Sequence, residues 1–320
     1  VSIHLVTTAA GKEAEQPARR TAARAYDDPS YLRAVVERRL SLLLPPANQR
    51  PHRLHGAMRH AALSPGKRLR PLLTLLASFE CGCTDMRALD AACAIEMVHA
   101  ASLVLDDLPA MDDAALRRGV PTTHRVYGED IATLAAVGLL NRAYAIMAGL
   151  RGVDPATRLS LVGLLTETVG SDGLLGGQEQ DLRDARKLAD VAGLDQLNHA
   201  KTGVLFAAAL EAGALIGCAD EAGRTCYRMF ARHLGHAFQT LDDLLDATAS
   251  EAEVHKDVRK DAHKPSLVRI MGPEAARRRV FEELERGCAL LEARAAKDSS
   301  GAGGSVLAVF VRQSFARALP

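Results

Sequence analysis

The sequence predicts an all-α fold, and three observations carry that reading. From Tyr26 onward, apolar residues recur at helical spacing. No stretch shows the period-two, β-branched alternation of a strand. The breaks in the helical pattern coincide with Pro45-Pro46, Pro65-Gly66, Gly152–Pro155, Gly176-Gly177, Gly272-Pro273 and the run from Ser299 to Gly304.

Between these breaks, helices are expected near 30–43, 51–63, 69–82, 86–108, 129–150, 156–171, 193–217, 221–247, 273–297 and 305–318. Residues 1–25 have little periodicity and read as a loose extension, which leaves 26–320 as a single domain with no dividing linker. The central helices are small and apolar, as in Ala91-Ala92-Cys93-Ala94 and Ala207-Ala208-Ala209. Helices of this kind pack closely and are covered on most sides, so the expected architecture is one large bundle with an interior cavity.

Composition narrows the function classes. At 320 residues the chain can bury a substantial core, and it is 48% hydrophobic and 25% charged with a net charge of +1. That balance gives no global reason to expect nucleic acid or an acidic membrane as partner. Aromatics are 4% with no Trp, which removes the usual base-stacking platforms. The cysteines at 81, 83, 93, 218, 226 and 288 form no metal-finger spacing and read as free thiols of a reducing cytosol, so a cytoplasmic protein is expected. No secretory signal is evident. The apolar stretches 131–150 and 203–217 are interrupted by Asn141-Arg142 and Glu211, so no membrane span is expected.

The sharpest local anomaly is Asp106-Asp107-Leu108-Pro109-Ala110-Met111-Asp112-Asp113, directly after an apolar helical segment. Such a cluster at a buried helix end is costly unless cations neutralise it. Its all-oxygen donors suit a hard cation such as Mg2+, which takes a few carboxylates plus substrate phosphate oxygens. The plain alternative is a solvated acidic turn with Asp112 or Asp113 as an N-cap. A second cluster, Asp242-Asp243-Leu244-Leu245-Asp246, lies inside a long apolar helix, where Asp has poor propensity. Asp242 and Asp246 share one face there and can reach the same ion.

Basic residues supply the complementary charge. Between Arg38 and Phe79 there is no Asp or Glu, yet Arg38, Arg39, Arg50, Arg53, Arg59, Lys67, Arg68 and Arg70 occur. Gly66-Lys67-Arg68-Leu69-Arg70-Pro71 follows a turn and opens a helix, with Lys67 and Arg70 expected on one face. A helix N-terminus flanked by Lys and Arg makes a diphosphate site; the plain alternative is a solvated basic face. Arg117-Arg118-Gly119 follows the first acidic cluster, Lys201-Thr202-Gly203 opens a later helix, and Lys256, Lys260 and Lys264 trail the second cluster.

In this order, and with Gly176-Gly177-Gln178-x-x-Asp181 and Phe238-Gln239 before Asp242, the motifs resemble those of the trans-isoprenyl diphosphate synthases over roughly residues 50–270. The resemblance implies a bundle of antiparallel helices around a deep central cavity, in a homodimer. It implies that Asp106, Asp107, Asp112 and Asp113, with Asp242, Asp243 and Asp246, hold three Mg2+ ions, with Mn2+ as a substitute. It assigns Arg117, Gln178, Asp181, Lys201, Thr202, Gln239, Lys256 and Lys264 to the allylic diphosphate. Lys67, Arg70, His99 and Arg118 fall to isopentenyl diphosphate; for His99 alone, a satisfied core histidine is the ordinary reading. Pro65 replaces the family's usual first glycine of the basic motif, and Ser266 stands where threonine is frequent.

The implied reaction is ionisation of an allylic diphosphate, assisted by Mg2+, and attack on the cation by the double bond of isopentenyl diphosphate. No Ser-His-Asp or Cys-His arrangement that would supply a protein nucleophile stands out. Ala101 and Ser102, small residues just before the first motif, leave no aromatic floor under the growing tail. With the two residues Pro109-Ala110 between the aspartate pairs, they resemble bacterial geranylgeranyl diphosphate synthases, which implies a C20 product. A C15 or longer product is the alternative. A terpene cyclase and a non-catalytic heteromer subunit are the competing classes, against which the complete second motif and the second diphosphate site argue.

Overall fold

The structure, a computed structural model, describes residues 28–184, 188, 190–248, 266–298 and 304–319. Helix α1 (Pro29–Leu43) begins where the Asp28 side chain accepts from the Ser30 and Tyr31 N–H groups. Pro29 takes the first position, where a missing N–H costs nothing. After α2 (His52–Leu63) and α3 (Leu69–Glu80), α4 (Leu89–Asp106) forms the axis of the bundle. Every α4 residue from Ala91 to Val98 is buried, because α6, α3, α10, α1 and α2 cover it from all sides. Its mostly small, apolar surface, interrupted by Glu96, fits a helix with no solvent face over this run.

A short hairpin follows, β1 (Leu116–Arg117) paired antiparallel with β2 (Val120–Pro121). Two-residue strands are too short to show alternation, which is why the sequence gives no sign of them. At the turn, Arg118 and Gly119 both have positive φ, 54° and 79°, the conformation that suits a tight hairpin. Then come α5 (Thr123–Tyr127), α6 (Glu129–Ala148) and α7 (Pro155–Val169), the last capped by Asp154.

The chain continues through α8 (Leu174–Arg183), α9 (Val191–Asn198), a π turn (His199–Gly203) and α10 (Val204–Ile216). Here the structure departs from the expected break at Gly176-Gly177. Both glycines lie in the first turns of α8 and serve packing: a Cβ on Gly177 would stand 2.6 Å from the Lys201 nitrogen. The single helix expected over 193–217 is divided by the π turn. α10 crosses α3 so closely that a Cβ on Gly213 would press on the Thr74 carbonyl oxygen.

Helix α11 (Glu221–Thr248) buries Tyr227, Phe230, Ala231, Leu234, Ala237, Leu241 and Leu244 along one stripe, against α13 (Pro273–Asp298) and α10. Between α11 and α13 lies α12 (Leu267–Met271), N-capped by Ser266. The last helix, α14 (Val306–Ala316), returns to α3. There Glu80 accepts from the Ser305 hydroxyl at 2.6 Å, the Leu307 N–H at 2.9 Å and the Tyr227 hydroxyl at 3.2 Å. A carboxylate thus caps the N-terminus of α14. By length and composition, two helical runs could cross a membrane, Glu129–Ala148 and Val191–Ile216. That differs from the sequence expectation, and in the fold both runs are bundle elements, α6 against α4 and α10 against α3.

Candidate active site

The C-terminal end of α4 and the last turns of α11 carry the two acidic motifs. After Asp106 the chain folds back rather than leaving. The Asp112 N–H donates to the Asp106 carbonyl at 2.9 Å, and the Asp113 N–H donates to the Leu108 carbonyl at 3.0 Å. Pro109 and Ala110 form the exposed tip of this turn, so the two additional residues let the second aspartate pair return to the first. Asp113 sits at φ 47°, which a short polar side chain tolerates.

Asp107 is buried and accepts from Arg117 Nε at 2.9 Å, with Arg117 Nη2 completing the pair. Burial raises the Asp107 carboxyl above its ordinary range, and Arg117 opposes that shift. Burial also raises Asp106, with Asp112 and Asp181 pushing the same way and Lys201 and Arg117 opposing. Desolvation, reinforced by neighbouring carboxylates, therefore makes negative charge costly at this helix end despite Arg117 and Lys201.

The π turn joins the two motifs. Lys201 Nζ lies 2.6 Å from Asp181 Oδ2 on α8 and 3.7 Å from Asp106 Oδ2. Burial alone would pull the ammonium down, but Asp106 and Asp181 hold it above its ordinary value. The next residue, Thr202, faces α11: its hydroxyl donates to Gln239 Oε1 at 3.5 Å, and Gln239 Nε2 donates to Asp243 Oδ1 at 3.1 Å. Asp243 Oδ2 accepts from the Leu267 N–H at 2.7 Å. Burial raises Asp243 as well, and Asp242 and Asp246 add to the rise. Gln178 Nε2 is buried with no hydrogen-bond partner among the described residues.

A cationic corner gathers around His99, about two turns before Asp106 on α4. Arg70 Nη1 and Arg118 Nη2 approach His99 Nε2 at 3.5 and 3.4 Å. Arg118 Nη1 donates to the Pro65 carbonyl at 3.1 Å, so the proline that replaces the usual glycine still offers an acceptor. Arg70 stacks over the Phe206 ring, 4.4 Å from its centroid. Burial lowers Arg70 to about 10, and burial with the surrounding arginines holds His99 well below its ordinary value. The imidazole is therefore neutral here, while Arg70 keeps its charge.

Most of the acid-free basic run is structural. Arg39 pairs with Asp90, Arg59 donates to Ser41, and Arg53 donates to the Tyr127 carbonyl. Lys67 is exposed and precedes α3 rather than sharing its face with Arg70, because Arg68 between them takes φ 50°. The pairing of Arg68 with the buried Glu96 is not visible in the sequence. Their 28-residue separation hides it, and only the lone acid within the apolar run of α4 hints at it. Lys256, Lys260 and Lys264 lie outside the described residues. Ala101 is fully buried on α4, and the Ser102 hydroxyl donates to the His99 carbonyl at 2.9 Å.

Among the described residues, no three His, Cys, Asp or Glu side chains converge as a ready metal site. Asp107 is committed to Arg117, and Asp243 to Gln239 and Leu267. The donor set still fits Mg2+, which usually binds through one or two carboxylates and takes its remaining oxygens from substrate phosphate and water.

The family model for polyprenyl synthetase matches residues 51–286. The geranylgeranyl diphosphate synthase of Pantoea ananas is 42% identical over 261 residues, covering 81% of this chain and 85% of that protein. That of Pseudescherichia vulneris is 43% identical over 236 residues, covering 72% and 74%. The structure resembles an FPP/GFPP synthase from Zymomonas mobilis with a TM-score of 0.75 at 31% identity, covering 92% of this chain and 97% of that one. A geranyltranstransferase from Thermotoga maritima matches with a TM-score of 0.73 at 28% identity, covering 91% and 98%.

The Arg117–Asp107 pair yields a stability prediction. Arg117→Ala leaves a buried carboxylate without its cation and is expected to cost about 3 kcal/mol in denaturant unfolding. A loss below about 0.5 kcal/mol would show that Asp107 is solvated instead.

Proposed function

The chain belongs to the polyprenyl synthetase family, and from that premise we propose that it condenses isopentenyl diphosphate with an allylic diphosphate, head to tail, giving geranylgeranyl diphosphate and pyrophosphate. The observation that supports this most is the bridge from Asp106 through Lys201 and Thr202 to Gln239 and Asp243. Two acidic motifs far apart in sequence thereby flank one turn, with a separate cationic corner around His99.

In this reading the aspartates at 106, 107, 112, 113, 242, 243 and 246 hold Mg2+ around the allylic diphosphate. The bound ions supply Lewis-acid stabilisation of the departing pyrophosphate. Lys201, Thr202, Gln178, Asp181, Gln239 and Arg117 orient that group, and the unpartnered Gln178 amide has a donor to spare. Lys256 and Lys264 belong to the same proposal by motif alone. Arg70 and Arg118, with Lys67 at the rim, clamp the diphosphate of isopentenyl diphosphate, while neutral His99 offers one hydrogen bond. The substrate double bond then meets the allylic cation at short range, and the proton lost passes to released pyrophosphate.

A C20 product rests on the relatives' names and on the small side chain at Ala101, buried on α4, where an aromatic floor would otherwise stand. The FPP/GFPP synthase among the structural neighbours favours a shorter or longer chain as the second reading. A homodimer is supported by α6, which leaves Leu134 and Val137 more than half exposed, and by Leu159 on α7. Six free cysteines agree with a cytoplasmic setting.

Asp106→Ala and Asp242→Ala are each expected to lower turnover by about a hundredfold or more with Mg2+ present. Near-normal turnover in either variant would refute the scheme. With labelled isopentenyl diphosphate and each allylic primer, mass spectrometry is expected to detect a C20 product that Ala101→Tyr shortens to C15. An unchanged profile would remove the floor argument. Light scattering is expected to report twice the mass of one chain; a single-chain mass would exclude the dimer.

A further inference from the structure

The cationic corner contains one acid that the proposed reaction does not use. Glu96 lies on α4 one turn before His99, 3% exposed, and accepts from Arg68 Nη1 at 2.9 Å. Both side chains are 4% exposed. Arg68 borders the corner: its guanidinium, like that of Arg118, lies against Gly66, and it acts electrostatically on His99 and Arg118. It sits at the N-cap of α3 with φ 50°, a backbone conformation that aliphatic and long side chains avoid, and a cation is unfavourable at that helix end. Something must hold it there, and Glu96 is the buried carboxylate in reach; the half-exposed Glu37 stands farther off, 3.7 Å from Arg68 Nε.

The same guanidinium reaches back into the loop before α3. Arg68 Nη2 donates to the Ser64 carbonyl at 2.7 Å, and the next carbonyl, that of Pro65, accepts from Arg118. A side chain on Gly66 would collide with the Arg118 guanidinium, so the loop lies directly against it. A continuous path therefore runs from Glu96 to Arg68, to Ser64 and Pro65, and on to Arg118, with Lys67 on the same loop. Glu96 also lies close enough to favour the charged forms of Arg70 and Arg118.

We propose that Glu96 is a positioning residue for the homoallylic diphosphate: by fixing Arg68 and tying the Ser64–Lys67 loop, it sets the geometry of Lys67, Arg70 and Arg118. This inference rests on the reading of that corner as the isopentenyl diphosphate site. Glu96 touches no substrate in this scheme; it acts by anchoring Arg68 and by its charge beside Arg70 and Arg118. Without its carboxylate, the Arg68 guanidinium has no reason to stay buried at a helix N-terminus, and the loop that it anchors goes with it. The consequence is selective, because the allylic site around Asp106, Lys201 and Asp243 shares none of these contacts.

Steady-state kinetics on the full-length enzyme with Mg2+ test this. Glu96→Gln is expected to raise KM for isopentenyl diphosphate at least about tenfold, with kcat and the allylic KM within about threefold of wild type. Glu96→Asp, which keeps the charge on a shorter arm, is expected to fall between the two. Should Glu96→Gln fail to fold, the apolar pair Arg68→Met with Glu96→Leu replaces it, since a buried ion pair can be exchanged for packed hydrophobic groups. That pair is expected to show the same selective rise. A folded variant with an unchanged isopentenyl diphosphate KM, or with both KM values and the melting temperature shifted together, would overturn the proposal. Absence of turnover in the wild-type protein would instead refute the functional reading itself.

Discussion

Desolvated negative charge is the constraint around which this bundle is organised. Asp106, Asp107 and Asp243 are all driven by burial toward their neutral forms, and each is restrained by a specific neighbour. Lys201 serves Asp106 and Asp181, Arg117 serves Asp107, and Gln239 with the Leu267 N–H serves Asp243. Every element that carries one of these partners is placed by it. The hairpin is held by Arg117, the π turn by Lys201, and α12 by its first N–H. Arg117, Lys201 and Gln239, which restrain these carboxylates, are also among the residues proposed above to hold the diphosphate. In that proposal, substrate and cation inherit a charge balance that the fold has already arranged.

The positive corner is governed by the same electrostatics with the sign reversed. Arg70, Arg118 and His99 crowd together with Glu96 as the nearby acid, and burial, reinforced by their mutual repulsion, lowers the pKa values of all three. The hairpin turn serves both corners. Arg117 and Arg118 are consecutive, but the positive φ of Arg118 sends one guanidinium to Asp107 and the other to His99.

Much of this is legible in the sequence. The aspartate pairs, Lys201, Gln239 and the Arg117-Arg118 dipeptide stand out because charge at a buried, apolar helix end is costly unless an ion or a counter-charge meets it. The long helices are equally clear. What stays hidden is short or irregular. α5 and α12 are each five residues, below the length at which periodicity accumulates, and β1 and β2 hold two apiece. Gly176 and Gly177 read as a break because glycine disfavours helices, whereas here the missing side chains admit the Ser171 carbonyl at Gly176 and the π-turn backbone at Gly177. The Arg68–Glu96 pair depends on a left-handed residue and a contact between two helices, neither of which a linear pattern records.

The π turn at His199–Gly203 has a consequence for how this segment tolerates change. Its wide winding places one surplus residue between α9 and α10, so the two helices are out of phase by about a quarter-turn or more. Substitutions within it leave that phase intact, but removing a single residue would rewind the segment and swing Lys201 and Thr202 off their walls together. Length, not identity alone, is therefore the inherited property here. Chimeras or truncations that splice between α9 and α10 must carry the whole insertion across to keep both halves of the pocket in register.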